Sequence, residues 1–91
     1  MKYSSIFNES LFQAVEYYGN IDRRLALRFF EAVDRAKREI GRFPKIGKPM
    51  GKFRGLHLKE FPYRFCYQEN LDGELVALVL YHTKQKQPRI I

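Results

Sequence analysis

The sequence predicts an α+β fold, in which an N-terminal strand and an αα-hairpin pack on one face of a small antiparallel sheet. Two amphipathic helical patterns follow one another in the first half of the chain, and alternating apolar and polar residues fill most of the second half. An Asp72-Gly73 pair between two apolar runs is a strong hairpin-turn signal. With 91 residues, the chain has room for a single domain spanning residues 1–91.

The N-terminal region predicts one strand followed by two helices. Residues 2–7 are expected to be extended, and Asn8 is a good candidate for the N-cap of the first helix. Gly19-Asn20 should end this helix, and the second should start near Asp22. The second helix carries an apolar stripe at helical spacing, which we interpret as core: Leu25, Ala26, Phe29, Val33, Ala36 and Ile40.

Residues 43–55 are rich in glycine, proline and basic side chains, which predicts a mobile surface loop. Pro44 cannot continue the second helix, so that helix must end before it. Three strands are then expected over residues 56–60, 63–69 and 74–82.

A tight turn at residues 61–62 would place Lys59 opposite Arg64 and His57 opposite Cys66. These four residues would share one sheet face. The other face would pack on the helices through an apolar set: Leu56, Leu58, Phe65 and Tyr67. A two-residue turn at Asp72-Gly73 would add Val76, Leu78 and Leu80 to the core face, and Ala77, Val79 and Tyr81 to the other, with Tyr81 beside Arg64. A longer turn would change this last assignment.

The net charge of +7 is concentrated in two segments. Residues 42–64 hold seven basic residues and one acid, and the tail adds Lys84, Lys86 and Arg89, so these segments carry +9 and the remainder −2. A localised basic surplus favours an anionic partner such as a nucleic acid or an acidic protein. A solvated surface that only aids solubility is the alternative.

Lys59 and Arg64 are the most specific local signal for such a partner. Like charges directly opposite on neighbouring strands are destabilising by up to about 1 kcal/mol. Water can screen such a pair, or a bound phosphate or carboxylate can bridge it. The sequence leaves both interpretations open.

The sequence lacks the residue patterns typical of several kinds of site. The single Cys66 cannot form an internal disulfide, and a strand cysteine usually serves packing. His57 and His82 are too few and too separated for a metal site, and we expect no metal, cofactor or small-molecule substrate. The longest apolar run, residues 75–81, is too short to span a bilayer, and the N-terminus lacks a signal-peptide layout. We therefore expect a cytoplasmic protein without a membrane partner.

Metal-independent cleavage of RNA is possible with the residues at hand. The reaction needs a base for the 2′-hydroxyl proton, cations at the phosphate and an acid for the leaving oxygen. Lys59 and Arg64 could supply the cations, and His57 or His82 the acid or base.

The layout and several motifs resemble the RelE/ParE superfamily of toxins from bacterial type II toxin–antitoxin pairs, which include plasmid stabilisation proteins. The resemblance covers essentially the whole chain. It is carried by the end of the helical hairpin, the central strand pair and the C-terminal segment: Phe43-Pro44-Lys45-Ile46-Gly47, Leu56-His57-Leu58-Lys59 with Tyr63-Arg64-Phe65-Cys66-Tyr67, and His82-Thr83-Lys84-Gln85-Lys86-Gln87-Pro88.

The resemblance implies a toxin held inactive by a cognate antitoxin that wraps an acidic, partly disordered segment around it. RelE-like members cut messenger RNA on the ribosome, and here Arg64 matches their strand arginine while Lys84 falls where a further arginine is expected. Their two strand lysines correspond to Gly55 and His57, and their C-terminal tyrosine to Ile90, so the nuclease set is incomplete.

ParE-like members instead poison DNA gyrase, and the histidine–basic–proline ending with the Pro-x-x-Gly after the helices is closer to that branch. The resemblance thus favours gyrase inhibition, with ribosome-dependent mRNA cleavage (candidates Arg64, His57 and Lys84) and a non-toxic basic binding module as alternatives. The candidate residues for binding the target or an anion are Lys59, Arg64, Arg54, Tyr81, His82, Lys84 and Lys86.

Overall fold

A computed structural model describes residues 1–84 of the chain. Its elements are β1 (Lys2–Tyr3), α1 (Ser5–Ile21), α2 (Arg23–Arg42), β2 (Lys48–Met50), β3 (Phe53–His57), β4 (Tyr63–Glu69) and β5 (Leu75–His82). The five strands form one open sheet in the order β1-β5-β4-β3-β2. The α+β prediction is confirmed, but the sheet is mixed, because β1 runs parallel to β5 while the other neighbours are antiparallel.

Ser4, not Asn8, caps the first helix. The Ser4 hydroxyl accepts a hydrogen bond from the Phe7 backbone N–H at 3.0 Å, so α1 starts four residues earlier than predicted and β1 is short. The helix also continues through Gly19 and Asn20 to Ile21. Asp22 then ends α1 and caps α2 through a 2.8 Å bond from the Arg24 N–H, which confirms the predicted start of the second helix.

The main core lies between the helical hairpin and the sheet. From α2 it takes the predicted stripe residues Phe29, Val33, Ala36 and Ile40, whereas Leu25 and Ala26 are half-buried. Phe7 packs on Phe65 with ring centroids 4.9 Å apart, which joins α1 to the centre of the sheet. Aromatic rings therefore set much of the spacing between the two layers.

The surface loop predicted over residues 43–55 is correct only for residues 43–47, because residues 48–55 fold into a hairpin of β2 and the first part of β3. Gly51, at φ +73°, occupies the first position of a two-residue turn between Met50 and Phe53. A positive φ at this position suits the twist of a hairpin and favours glycine. Pro49 is tolerated because β2 is an edge strand of the sheet.

The predicted register of β3 with β4 is wrong by two residues. Arg64 lies opposite His57, and Cys66 lies opposite Gly55. The chain between the strands makes a wider connection, in which Leu58 and Phe61 turn inward and are 2% and 7% exposed. Burial of Phe61 against Phe29, with ring centroids 5.1 Å apart, therefore wins over a tight turn at residues 61–62.

Strand β5 contains a bulge at Leu78. Tyr67 lies opposite Ala77, whereas Cys66 lies opposite Val79, so Leu78 is the extra residue on β5. Ala77 consequently joins the main core, and Leu78 packs on the opposite face of the sheet, both contrary to the prediction. Residues 70–74 connect the strands, a longer turn than the two-residue one assumed.

Candidate anion-binding site on the open sheet face

The face of the sheet that points away from the helices carries a second, smaller apolar cluster. We call it the open face. Its cluster consists of Phe53, Cys66, Val79 and Tyr81, with Met50 and Leu78 packed at the edges. Phe53, Val79 and Tyr81 are 7–8% exposed and Cys66 is fully buried. The open face therefore has a packed apolar cluster that can hold polar side chains in place.

Arg64 lies in the middle of a row of three side chains across this face. In the sheet ladder it is flanked by His57 on β3 and by Tyr81 on β5. The predicted position of Tyr81 beside Arg64 is confirmed. A cation, an imidazole and a phenol thus meet on one side of the molecule, without either helix between them and solvent.

An open groove of about 580 Å³ runs along the Arg64 side chain. Its walls come from β2, the Gly51 turn, β4 and the end of β5: Lys48, Pro49, Met50, Gly51, Arg64, Tyr81 and Thr83. Two of these side chains are cationic and, over residues 1–84, none is acidic. A concave surface with unopposed positive charge and hydroxyl donors suits a phosphate or carboxylate group.

Met50 holds Arg64 from the side of β2. Its sulfur lies 3.8 Å from Nη1 of Arg64. A Cβ at Gly55 would lie only 2.6 Å from that sulfur, so the absence of a side chain at Gly55 lets Met50 cross the strand. The space that a side chain at position 55 would fill is therefore occupied by the Met50 thioether.

Burial suppresses the acidity of the two groups beneath the groove. It raises the pKa of the Cys66 thiol to about 12, although the Arg64 guanidinium opposes the shift. It also raises the pKa of the Tyr81 phenol, with a smaller contribution from Cys66 and an opposing one from Arg64. Cys66 is consequently a packing residue with a protonated thiol at neutral pH.

His57 is exposed and has a defined ring orientation. Its Nδ1 lies 2.7 Å from the backbone oxygen of Leu58. A carbonyl can only accept, so this contact places the proton on Nδ1 and leaves the Nε2 lone pair available in the neutral ring. The imidazole next to Arg64 can therefore accept a proton or a hydrogen bond.

Three predicted site residues lie away from both this groove and the ladder row of Arg64. Lys59 lies beyond the end of β3 and is exposed, so it does not face Arg64 across the ladder, and the predicted like-charge pair is wrong. Arg54 lies opposite Tyr67, on the helix side of the sheet, and its Nη1 donates to the Gly47 oxygen at 2.8 Å. The Arg54 guanidinium thus braces the segment that follows α2.

His82 also points to the helix side. Its ring packs on Tyr63 at 5.3 Å between centroids, and its Nδ1 accepts a 3.1 Å hydrogen bond from the Lys84 N–H. Lys84 follows Thr83 at the rim of the groove and is exposed. Lys86, Arg89 and Ile90, with the rest of residues 85–91, lie outside the described residues.

Lys48 and Met50 are the site residues that sequence reasoning missed. Both fall in the segment predicted as a loop, so no sheet face was assigned to them. The available signal was Gly51-Lys52 between Lys48-Pro49-Met50 and Phe53-Arg54-Gly55, a short hairpin pattern with a glycine at the turn.

Within residues 1–84, no group of three or more His, Cys, Asp or Glu side chains could hold a metal ion. Over the same range, neither helix has the length and hydropathy needed to cross a bilayer. Comparison with protein-family models and with curated proteins finds no match for the chain.

Proposed function

We propose that this chain is a RelE/ParE-like toxin of a type II toxin–antitoxin pair, that it inhibits DNA gyrase in the manner of ParE, and that a cognate antitoxin neutralises it. The observation that carries the proposal is the groove on the open face, where Arg64 and Lys48 stand without a carboxylate partner among the lining residues. An acidic segment of an antitoxin matches this chemistry.

The order of elements supports the family part of the proposal. A short first strand, a helical hairpin and an antiparallel set of strands follow one another, as the resemblance implies. The apolar floor of the open face supports a protein partner, since a bound segment could bury side chains against Val79 and Tyr81 while its carboxylates meet Arg64.

Gyrase inhibition is favoured over RNA cleavage because the residues that catalysis would need are incomplete. Gly55 offers no side chain, and Met50 fills the space beside it. The thiol of Cys66, with a pKa of about 12, and the shielded phenol of Tyr81 are poor proton donors to a leaving group at neutral pH. A binding toxin needs none of these groups to be acidic.

Ribosome-dependent mRNA cleavage is the second candidate, and the row of His57, Arg64 and Tyr81 supports it. His57 Nε2 could accept the 2′-hydroxyl proton while Arg64 stabilises the charge that develops on the phosphate. The leaving oxygen would then take its proton from Lys84, from solvent or from the ribosome.

One pair of assays with three variants separates the candidates. Purified protein is added to gyrase supercoiling reactions and to translating ribosomes with messenger RNA. We expect inhibition of supercoiling with RNA left intact, loss of this inhibition in Arg64→Ala, and little effect of His57→Ala. Cleavage of mRNA that both substitutions abolish would instead establish the nuclease.

The matched control is Arg35→Ala, which removes an exposed arginine from α2, in the layer opposite the groove. A harmless protein that binds naked DNA or RNA with steep salt dependence would overturn both candidates and identify a plain basic binding module.

A further inference from the structure

Exposed apolar side chains are concentrated on the first two helices and the strand before them. Among residues 1–84, eleven large hydrophobic residues are exposed, and eight of them fall within residues 1–30. Phe12 and Phe30 are 64% and 54% exposed, one on each helix. Large exposed patches of this kind mark interaction surfaces in soluble proteins.

The two phenylalanines border a continuous groove between α1 and α2. One part, of about 470 Å³, is lined by Asn8, Leu11, Phe12, Val15, Glu16 and Phe30. An adjoining part of about 220 Å³ shares Asn8, Leu11 and Phe30 and reaches Tyr3 and Lys37. This groove lies on the helical layer, apart from the anion-binding groove on the open face of the sheet.

The charges of the two helices differ in sign. Helix α1 contains two acidic residues, Glu9 and Glu16, and no basic residue. Helix α2 contains seven basic and three acidic residues, a net charge of +4. The hairpin therefore presents an acidic helix beside a basic one, with exposed phenylalanines on both.

Two acidic residues of α1 and one basic residue of α2 lie on the same sides of the helices as the phenylalanines. Glu9 and Glu16 stand three residues before and four residues after Phe12, which is the spacing of neighbours on one helix face. On α2, Lys37 stands two turns beyond Phe30 and lines the groove with it. Asp34 also reaches the groove, but its carboxylate is paired with Arg38 at 3.6 Å.

We propose that the outer face of the helical hairpin binds a second copy of this chain in an isologous dimer, with α1 of each copy lying on α2 of the other. A two-fold axis parallel to the helices places the acidic helix of each copy against the basic helix of the other copy. In this arrangement Glu9 of one copy meets Lys37 of the other, and Phe12 and Phe30 enclose a shared apolar centre.

Charge distinguishes this occupant from an acidic partner protein. An acidic segment lying along the groove would meet Glu16 in the α1 wall and pass close to Glu9, which adjoins the lining residue Asn8, and like charges there oppose binding. The helical hairpin of a second copy carries one acidic and one basic helix, and the dimer places each of them against a helix of opposite charge. The dimer also leaves the two open faces pointing outward, so it is compatible with the proposed toxin function and does not rest on it.

The test is sedimentation equilibrium of the full chain over a concentration series. We expect a monomer–dimer equilibrium, and we expect Phe12→Glu to raise the dimer dissociation constant by roughly tenfold or more, since it places a charge in the centre of the interface. Leu71→Glu is the control, because Leu71 is fully exposed in the turn between β4 and β5. Far-UV circular dichroism verifies that each variant is folded.

A charge exchange tests the orientation of the two copies. Glu9→Lys and Lys37→Glu should each weaken the dimer, and the double variant should recover most of the loss. A wild-type protein that stays monomeric over the whole series would overturn the proposal. So would a dimer that Phe12→Glu leaves unchanged, or a monomer that captures an acidic peptide at Phe12.

Discussion

The thioether of Met50 lies beside the guanidinium of Arg64, with 3.8 Å between the sulfur and Nη1. Met50 comes from the edge strand β2 and crosses Gly55, where a side chain would occupy the same space. The contact involves one nitrogen of the guanidinium, and the Arg64 side chain also lines the groove that it shares with Lys48 and Thr83. Three consecutive strands thus cooperate to hold one cation.

Gly55→Ala tests this arrangement. The new Cβ would lie 2.6 Å from the Met50 sulfur and 3.6 Å from Cδ of Arg64, so Met50 must move aside. Because Met50 is flexible, we expect a loss of about 1 kcal/mol in the free energy of unfolding. In a Met50→Ala background the loss should be smaller by about 0.5 kcal/mol or more, as measured by urea denaturation of all four proteins. Additive losses would contradict the contact.

Tyr67→Phe should destabilise the segment that joins α2 to β2. The buried Tyr67 hydroxyl donates to the Pro44 oxygen at 2.7 Å and accepts from the Gly47 N–H at 2.9 Å. Its removal leaves both backbone groups without this partner, and we expect a cost of about 1–3 kcal/mol in thermal or urea denaturation. Tyr17→Phe, at a 60% exposed position, is the matched control and should change stability by less than about 0.5 kcal/mol.

Ser10→Ala tests how α1 covers the edge of β5. The Ser10 hydroxyl accepts from the Leu80 N–H at 2.9 Å and donates to the Phe7 oxygen at 2.8 Å. We expect a loss of about 1–3 kcal/mol, since the Leu80 N–H would be left unpaired beneath the helix. Ser5→Ala removes an exposed hydroxyl from the same helix and serves as the comparison. Equal stability of the two variants would contradict this role of Ser10.

The buried Cys66 thiol should make the free energy of unfolding depend on pH above about pH 9. Its pKa rises from an ordinary value of 9.0 to about 12 in the fold, so above pH 9 the unfolded chain loses a proton that the folded one keeps. Stability from this group is complete below pH 9 and falls by up to about 1.4 kcal/mol per pH unit as pH rises towards 12.

The thiol effect is best isolated between pH 9 and 10, below the ordinary pKa of 10.0 of the buried Tyr67 and Tyr81 phenols, which burial also raises. Urea denaturation of Cys66→Ala should show a shallower decline over this interval than the wild type. In addition, the native thiol should react with a thiol reagent only as fast as the protein opens. Parallel declines would show that Cys66 ionises freely in the fold.

In the central strands, the sequence predicted which sheet face each side chain occupies better than it predicted which residues lie opposite one another. A register error of two residues leaves every side chain on its predicted face, so Arg64, His57 and Cys66 were assigned correctly to the side away from the helices. The error arose because Phe61 packs against Phe29, an interaction between segments more than thirty residues apart. A local turn signal does not contain that information.

The bulge in β5 has a similar non-local origin. Ser4 donates to the oxygen of the bulged residue Leu78 at 2.8 Å, and Ser10 accepts from the Leu80 N–H. Two hydroxyls at the start of α1 thus satisfy edge groups that β1, with two residues, is too short to reach. The alternation of apolar residues within β5 alone predicts a regular strand, and it therefore misplaced Ala77 and Leu78.

Only part of the candidate site could be predicted, because the rest depends on pairings between strands that the local pattern does not specify. Arg64 and Tyr81 could be placed together from strand alternation, whereas Lys48 and Met50 depend on a hairpin whose strands are short and rich in glycine and proline. Lys59 was expected at the centre and lies outside the ladder, because its position followed from the incorrect register. Arg54 alternates onto the helix side, where the Gly47 carbonyl binds it.

Induced expression in a bacterial host tests the central claim, that the open face makes this chain a toxin. Growth is measured for the wild type, for Arg64→Ala and for the control Arg35→Ala, with the soluble protein quantified in each culture. We expect growth arrest with the wild type and with Arg35→Ala, and normal growth with Arg64→Ala at equal protein levels. Normal growth with abundant, folded wild-type protein would contradict it.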